Sequence, residues 1–411
     1  MSRILIIGGN AQSLVDFRGD MIQSMVDQGH EVITMAPEKN LEGILTSVVA
    51  NSVSAKMKDM GARFLPFPLS RTGINPLRDL HTLYFLTKKM LELKPDVVLS
   101  YTMKPVIYGS WAARLAGVGN VFSMITGLGY AFTGETLKQR LLERIVTRLY
   151  KMALCYNKKV YFMNPDDLNL FRKLKIVPEK EKAVLINGSG VNTERFTFAR
   201  AKTDKIVFLL IARLLWSKGI GEFVDAARML KNQYPDASWR IVGPYDNNPS
   251  AIHRSDIKEW QDEGIIEYMG STDDVRPYIA QSSVFVLPSY REGTPRSVLE
   301  AMSMGRPIIT TDAPGCRETV IEGVNGFLVP VGGSVSLAKA MEKFLQNRAL
   351  IADMGAKSRK IARARYDVNK VNDSILQAMD LSVTNATRTV PRWEPTTEKT
   401  YFIRDRQEVR R

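Results

Sequence analysis

Cysteine and histidine are scarce in this chain of 411 residues. The only cysteines are Cys155 and Cys316, and the only histidines are His30, His81 and His253. One distant cysteine pair is no disulfide framework, and three scattered histidines form no ligand cluster. No Asp-x-Asp spacing occurs either, so no metal site is expected. Apolar runs stay well short of the roughly 20 residues that cross a bilayer. The chain enters a strand from its first residues, so no signal peptide is expected and cytosolic placement fits. Acidic residues are in deficit, with 43 Asp and Glu against 57 Lys and Arg, a net charge of +14. Residues 1–175 hold 23 of the cations and 14 of the acids, or +9. Such an excess points to an anionic partner: membrane lipid, a phosphorylated substrate or nucleic acid. The aromatic platforms and reading helix of nucleic-acid modules are missing, which disfavours the last.

What is present is the composition of a soluble globular protein, 45% hydrophobic and 24% charged, long enough for two domains. Strands and helices alternate throughout, which predicts an α/β fold: two Rossmann-like parallel-sheet domains facing a cleft. Ile4 to Ile7 is a buried strand, Gly8 to Ser13 a small-residue loop, and a helix then runs to about Gln28. The loop is not Gly-x-Gly-x-x-Gly, so a nicotinamide cofactor is not expected. It does let a diphosphate approach the backbone at Gly9. Arg18 on the following helix either reaches the same space or is a surface arginine. Pro76 to Leu93 reads as an amphipathic helix with Leu80, Leu83, Tyr84 and Leu91 on one side. Asp96 to Ser100 is a strand opening into Tyr101 to Pro105, where Lys104 is either an anion contact or a solvated lysine. Val121 to Ile125 leads into Thr126-Gly127-Leu128-Gly129.

Residues 137–152 carry Leu137, Leu141, Leu142, Ile145 and Leu149 as one stripe, with Arg140, Arg144 and Arg148 as a basic ridge. Such a helix can lie on an anionic bilayer; equally, the stripe can pack on the sheet and the ridge be solvated. A charged stretch at 173–182 marks a domain boundary. The organisation is thus a first domain over 1–175 and a second over 183–355. A helix over 356–380 packs back on the first domain, and a charged tail fills 381–411.

The densest chemistry lies at 283–302. Ser283 to Leu287 reads as a buried strand, Val298, Leu299 and Met302 as the inner face of a helix, with Gly305 and Pro307 stopping it. Thr294 fits an N-cap and Pro295 the first helical position. The helix tip, with free amides at Gly293 and Thr294 and a positive dipole end, is a ready diphosphate site. Glu292 lies just before it and Glu300 inside it, seven residues between them. Arg213 and Lys218 follow another strand end in an Arg-x4-Lys-Gly pattern, a bidentate fork and a mobile point charge suited to a diphosphate.

The Pro288-to-Met302 stretch, Ala212 to Gly219, Gly243-Pro244 and Pro314 to Glu318 closely resemble the retaining GT-B glycosyltransferases of family four, over roughly residues 3–345. The resemblance implies that Glu292 lies by the donor sugar and Glu300 holds the nucleotide ribose. It also implies that Arg213 and Lys218 bind the diphosphate, with Gly9, Gly243, Gly293 and Thr294 beside the donor. Phe17-Arg18, Tyr101 to Ala116 and Thr126 to Gly129 resemble a subgroup acting on undecaprenyl-diphosphate-linked sugars, α-1,3-N-acetylgalactosaminyltransferases among them. On that basis Arg18, Lys104 and Thr126 face the acceptor. Many family members carry His where Thr126 stands, so no side-chain base is assigned. The implied activity is metal-independent, retaining transfer from a UDP-sugar to a polyprenyl-diphosphate-linked acceptor, by a protein peripheral to the inner face of the membrane and without a resident cofactor. The alternatives are an epimerase on the same fold, which would need acid/base side chains near the sugar, or a basic binding protein with an inactive site.

Overall fold

The computed structural model describes residues 1–37, 47–70, 75–128, 132, 137–246, 248 and 250–381. Gly129 and the charged tail beyond Leu381 lie outside the described residues. The first domain alternates β1 (Arg3–Ile7), α1 (Ala11–Asp27), β2 (Glu31–Pro37), α2 (Ser47–Asp59), β3 (Arg63–Phe67), α3 (Pro76–Leu93), β4 (Val97–Tyr101), α4 (Met103–Leu115), β5 (Asn120–Ile125), α5 (Leu137–Leu154), β6 (Lys159–Phe162), α6 (Pro165–Lys173) and β7 (Ala183–Leu185). Its seven strands are parallel in the order β3-β2-β1-β4-β5-β6-β7. The continuous apolar runs Ile4 to Ile7 and Val97 to Leu99 are buried on both faces, as a sheet covered by helices on each side requires.

The second domain runs β8 (Val207–Ile211), α7 (Ile220–Lys231), β9 (Ser238–Val242), α8 (Arg254–Asp262), β10 (Glu267–Tyr268), α9 (Arg276–Gln281), β11 (Val284–Leu287), α10 (Arg296–Ser303), β12 (Ile308–Thr311), β13 (Gly326–Val329), α11 (Ser334–Gln346) and α12 (Ala349–Arg365). Its six parallel strands follow β10-β9-β8-β11-β12-β13. A last helix, α13 (Val368–Ala378), returns to the first domain. Val371, Ile375 and Leu376 bury themselves with Leu14 and Met21 of α1, and the Tyr161 hydroxyl donates to the Ile375 carbonyl at 3.2 Å.

One expectation is corrected, and the facing of two helices is fixed. The strand at Ala183–Leu185 pairs with β6 and completes the first sheet, so the passage between domains follows Leu185 and does not fall within 173–182. In α3 the buried face is Thr82, Leu86 and Met90, and Leu80, Tyr84 and Leu91 point outward. In α5 Val146, Tyr150 and Ala153 are buried and Leu142 and Leu149 half-buried, whereas Leu141 and Ile145 are exposed. Each helix carries apolar residues around more than one face, so the apolar period alone does not choose which face meets the sheet.

Candidate functional site

The carboxyl ends of both sheets meet across the interdomain cleft. A Cβ built on Gly293, in the loop after β11, would overlap the Thr126 carbonyl at the end of β5. Only glycine permits that approach of the two backbones. The Gly293 and Thr294 amides make no hydrogen bond among the described residues. Helix α10 begins at Arg296 with Pro295 as its cap and no side-chain cap bond. The expected Thr294 cap is therefore corrected. Its hydroxyl donates instead to the Met163 carbonyl of the first domain at 3.0 Å.

On the second-domain side, Lys218 is ion-paired with Glu292. The Ser289 hydroxyl donates to the same carboxylate oxygen at 2.8 Å. Both partners are mostly buried, so their attraction is little screened. Arg213 sits after β8 and gives one Nη to Asp246 at 2.7 Å, its side chain 42% exposed. Its other nitrogens make no bond among the described residues. Each cation thus keeps spare donors for an incoming anion. Glu300 is buried within α10, 2.9 Å from Arg296. Burial outweighs that guanidinium and raises the Glu300 carboxyl to about 6.

Gly243 has a φ of 155°, and a Cβ there would run into the Ala212 carbonyl. Its residue type is thus set by close backbone packing beside the Arg213 loop. Among the described residues no three His, Cys, Asp or Glu side chains gather as metal ligands would.

The first-domain side differs. Arg18 is 2% exposed, lies 5.2 Å from the Tyr101 ring centre, and has no hydrogen-bonding or ion-pair partner among the described residues. Burial lowers its pKa to about 10. Gly9 lies against Thr102, whose Oγ1 is 2.5 Å from the position of a Cβ on Gly9. Thr102 adopts φ 69° and ψ 155°, a region that only glycine visits easily. Its hydroxyl is buried without a partner. Lys104 is not a free cation: its Nζ meets Asp79 Oδ1 at 2.8 Å, both largely buried. Thr126 contributes its carbonyl to the contact with Gly293.

Sequence reasoning missed the residues that join the two sides. The Asn164 amide donates to the Glu292 and Gly293 carbonyls at 3.3 and 3.0 Å. Asp167 pairs with Arg291, and Asp166 with Arg317 at 2.8 Å. The only available signal was Asn164-Pro165-Asp166-Asp167, which reads as a helix cap. It is one, the Asp167 amide donating to Asn164 Oδ1 at 2.8 Å.

Residues 205–347 match the model of the glycosyl transferases group 1, and residues 25–164 that of the glycosyl transferase 4-like family. An N,N'-diacetylbacillosaminyl-diphospho-undecaprenol alpha-1,3-N-acetylgalactosaminyltransferase of Campylobacter jejuni is 26% identical over 93% of this chain and 100% of its own. A UDP-Gal:alpha-D-GlcNAc-diphosphoundecaprenol alpha-1,3-galactosyltransferase of Escherichia coli is 27% identical over 71% of this chain and 77% of its own. The Anabaena protein Alr3699/HepE, solved with UDP and glucose, superposes with a TM-score of 0.72 at 16% identity, covering 92% of this chain and 100% of that one. Sucrose-phosphate synthase from Thermosynechococcus elongatus gives 0.73 at 18% identity, over 92% and 98%. With a glycosyl transferase model matched in each half and the two-sheet architecture shared, the chain is a glycosyltransferase of GT-B fold, its second domain matching group 1 and its first the glycosyl transferase 4-like family.

Proposed function

We propose that this glycosyltransferase moves an N-acetylhexosamine or hexose from a UDP-sugar to a polyprenyl-diphosphate-linked acceptor in surface-polysaccharide or glycan assembly, with retention and without a resident metal. The observation that carries the reading is the Lys218–Glu292–Ser289 cluster beside the open tip of α10, with Arg213 across the loop. The undecaprenyl-diphosphate substrates in the names of two relatives, and UDP in a structural neighbour, support the partners.

In this reading the donor diphosphate lies over the amides of Gly293 and Thr294 and the first turn of α10. Arg213 and Lys218 complete the charge, and Glu300 accepts from the ribose hydroxyls. The bond between the anomeric carbon and the β-phosphate oxygen breaks. The acceptor hydroxyl oxygen bonds to that carbon from the same face, and its proton passes to the departing phosphate oxygen, giving UDP. Fixed cations stabilise the charge that develops on the phosphate. Glu292, held by Lys218 and Ser289, faces the sugar. Arg18 and Thr126 line the acceptor side. Lys104, neutralised by Asp79, supports α4 there and leaves anion contact to Arg18. The basic ridge of α5 holds the enzyme on the anionic inner face of the membrane.

The test is a donor screen with a short-chain polyprenyl-diphosphate-linked sugar, scored for released nucleotide and for anomeric configuration, with and without chelator. A UDP-sugar giving a retained product at unchanged rate in chelator is expected. Turnover confined to GDP-sugars, an inverted product, or loss of rate in chelator would each contradict the reading.

A further inference from the structure

Helix α3 has two apolar faces. Thr82, Leu86 and Met90 face the sheet, and the Asp79–Lys104 pair pins the helix to α4. The opposite face exposes Leu77, Leu80, Tyr84 and Leu91, between 55% and 81% accessible. Their spacing of three, four and seven residues aligns them on one outward stripe. Helix α5 repeats the arrangement with exposed Leu141, Ile145 and Met152. Both helices flank α4 on the same face of the first sheet. Cations border both stripes: Lys88 on α3, and Arg144 and Arg148 on α5, all exposed. A groove of about 660 Å³ runs along the α5 ridge, lined by Arg140, Arg144, Arg148 and Lys151 with one acid, Glu143. Exposed leucines of this number, rimmed by cations, mark an interaction surface.

We infer that α3 and α5 together form the membrane-docking face, with the α3 stripe entering the acyl boundary while the α5 cations hold anionic headgroups. This rests on the surface attachment proposed above and adds the second helix. Charge complementarity selects the occupant: an apolar protein groove would not need the flanking arginines, whereas an anionic bilayer uses both. The measurement is co-sedimentation of the full chain with vesicles of equimolar phosphatidylglycerol and phosphatidylcholine. Leu80→Ser/Tyr84→Ser should weaken binding by about tenfold or more, with an unchanged melting temperature and unchanged turnover of a water-soluble acceptor. Arg144→Glu/Arg148→Glu should remove binding. If the α3 variant binds as the wild type does and the α5 variant does not, the two-helix face is overturned while surface attachment stands. If both variants bind normally, or the wild type ignores the vesicles, attachment fails as well. A dimer in solution that Leu80→Ser/Tyr84→Ser dissolves would assign the face to a second copy and overturn the proposal.

A separate observation concerns the loop that carries Glu292. It is held from the first domain: Asn164 by its carbonyls, Asp167 by Arg291, and Met163 by Thr294. The Pro314–Glu318 loop, to whose Pro314 carbonyl the Glu292 backbone N–H donates at 2.9 Å, is tied by Arg317 to Asp166. Asn164 and Asp167 are wholly buried. The geometry points to Asn164 and Asp166 as positioning residues: they set Glu292 and the Gly293 amide only when the domains are closed. Asn164→Asp keeps the oxygen that caps α6 and loses the donor to both carbonyls and to Asp167 Oδ2 at 3.1 Å. It should lower kcat by about ten- to a hundredfold, with the KM for UDP-sugar changed by no more than about threefold. Asp166→Arg should lower kcat in the same way, and the charge swap Asp166→Arg/Arg317→Asp should restore it. That pair is about one-third exposed, and because Arg317 also meets Asp312 at 2.7 Å the restoration is expected to be partial. Wild-type kcat in Asn164→Asp, or a swap no better than the single change, overturns the assignment.

Discussion

Both sheets run in the same order, third strand, second, first, then fourth outward, yet their carboxyl edges are furnished differently. On the second sheet each cation beside the cleft has a carboxylate: Arg213 with Asp246, Lys218 with Glu292, Arg296 with Glu300. On the first, Lys104 is matched by Asp79, but Arg18 is buried with no counter-ion among the described residues, and Thr102 holds a strained backbone and an unpartnered hydroxyl. Matched charges keep a site in shape before any ligand arrives. A buried lone guanidinium costs stability until an anion meets it. The second-domain edge, proposed to hold the donor, is thus preorganised, and the first-domain edge, proposed to face the acceptor, gains most from being filled.

The sharpest way to break this contrast is to remove the matched charges. Lys218→Ala and Glu292→Ala should each lower kcat/KM by about a thousandfold, roughly 4 kcal/mol. A steady-state assay showing either near the wild-type rate would dissolve the donor-side assignment. Arg18→Met tests the other edge. It should raise the acceptor KM by about ten- to a hundredfold, equivalent to roughly 1.4–3 kcal/mol, while the melting temperature holds or rises because an unpaired buried charge is gone. A fall in melting temperature with normal acceptor KM would make Arg18 structural.

A smaller effect is pH-dependent. Burial favours the neutral Glu300 carboxyl and raises its pKa from 4.5 to about 6, so the ionised form proposed to accept from the ribose hydroxyls is lost as pH falls through about 6. The donor KM should climb below that pH in the wild type and stay flat in Glu300→Gln. By the same linkage, the stability gained from neutral Glu300 is complete below 4.5 and lost as pH rises through about 6. The smallest effect is expected at Thr102→Gly. Relief of its left-handed backbone should raise stability by about 1 kcal/mol, outweighing glycine's greater freedom when unfolded, and acceptor turnover should drop. Thermal melts showing a loss of stability would remove strain from the account.

The strand–loop–helix around Glu292 and Glu300 was legible in the sequence because its signals are local: an apolar run, a loop, and a helix stopped by Gly305 and Pro307. The Arg213–Lys218 spacing was legible for the same reason. The cap of α10 was misplaced by one residue because the Thr294 hydroxyl answers to Met163, 131 residues away. The Asn164 contacts span 128 and 129 residues, and no periodicity encodes them. Which way the stripes of α3 and α5 face was not legible, since Leu80 and Leu86 are chemically alike and only the packing of α4 decides between them. Lys104 looked free because Asp79 lies 25 residues earlier, on a different helix.

The most direct test of the central claim is a crystal of the full chain soaked with UDP. The diphosphate is expected between Arg213, Lys218 and the Gly293–Thr294 amides, with the ribose hydroxyls on Glu300. UDP bound away from these groups, or held there through a metal ion, would contradict the claim that fixed cations and the α10 tip grip the leaving nucleotide.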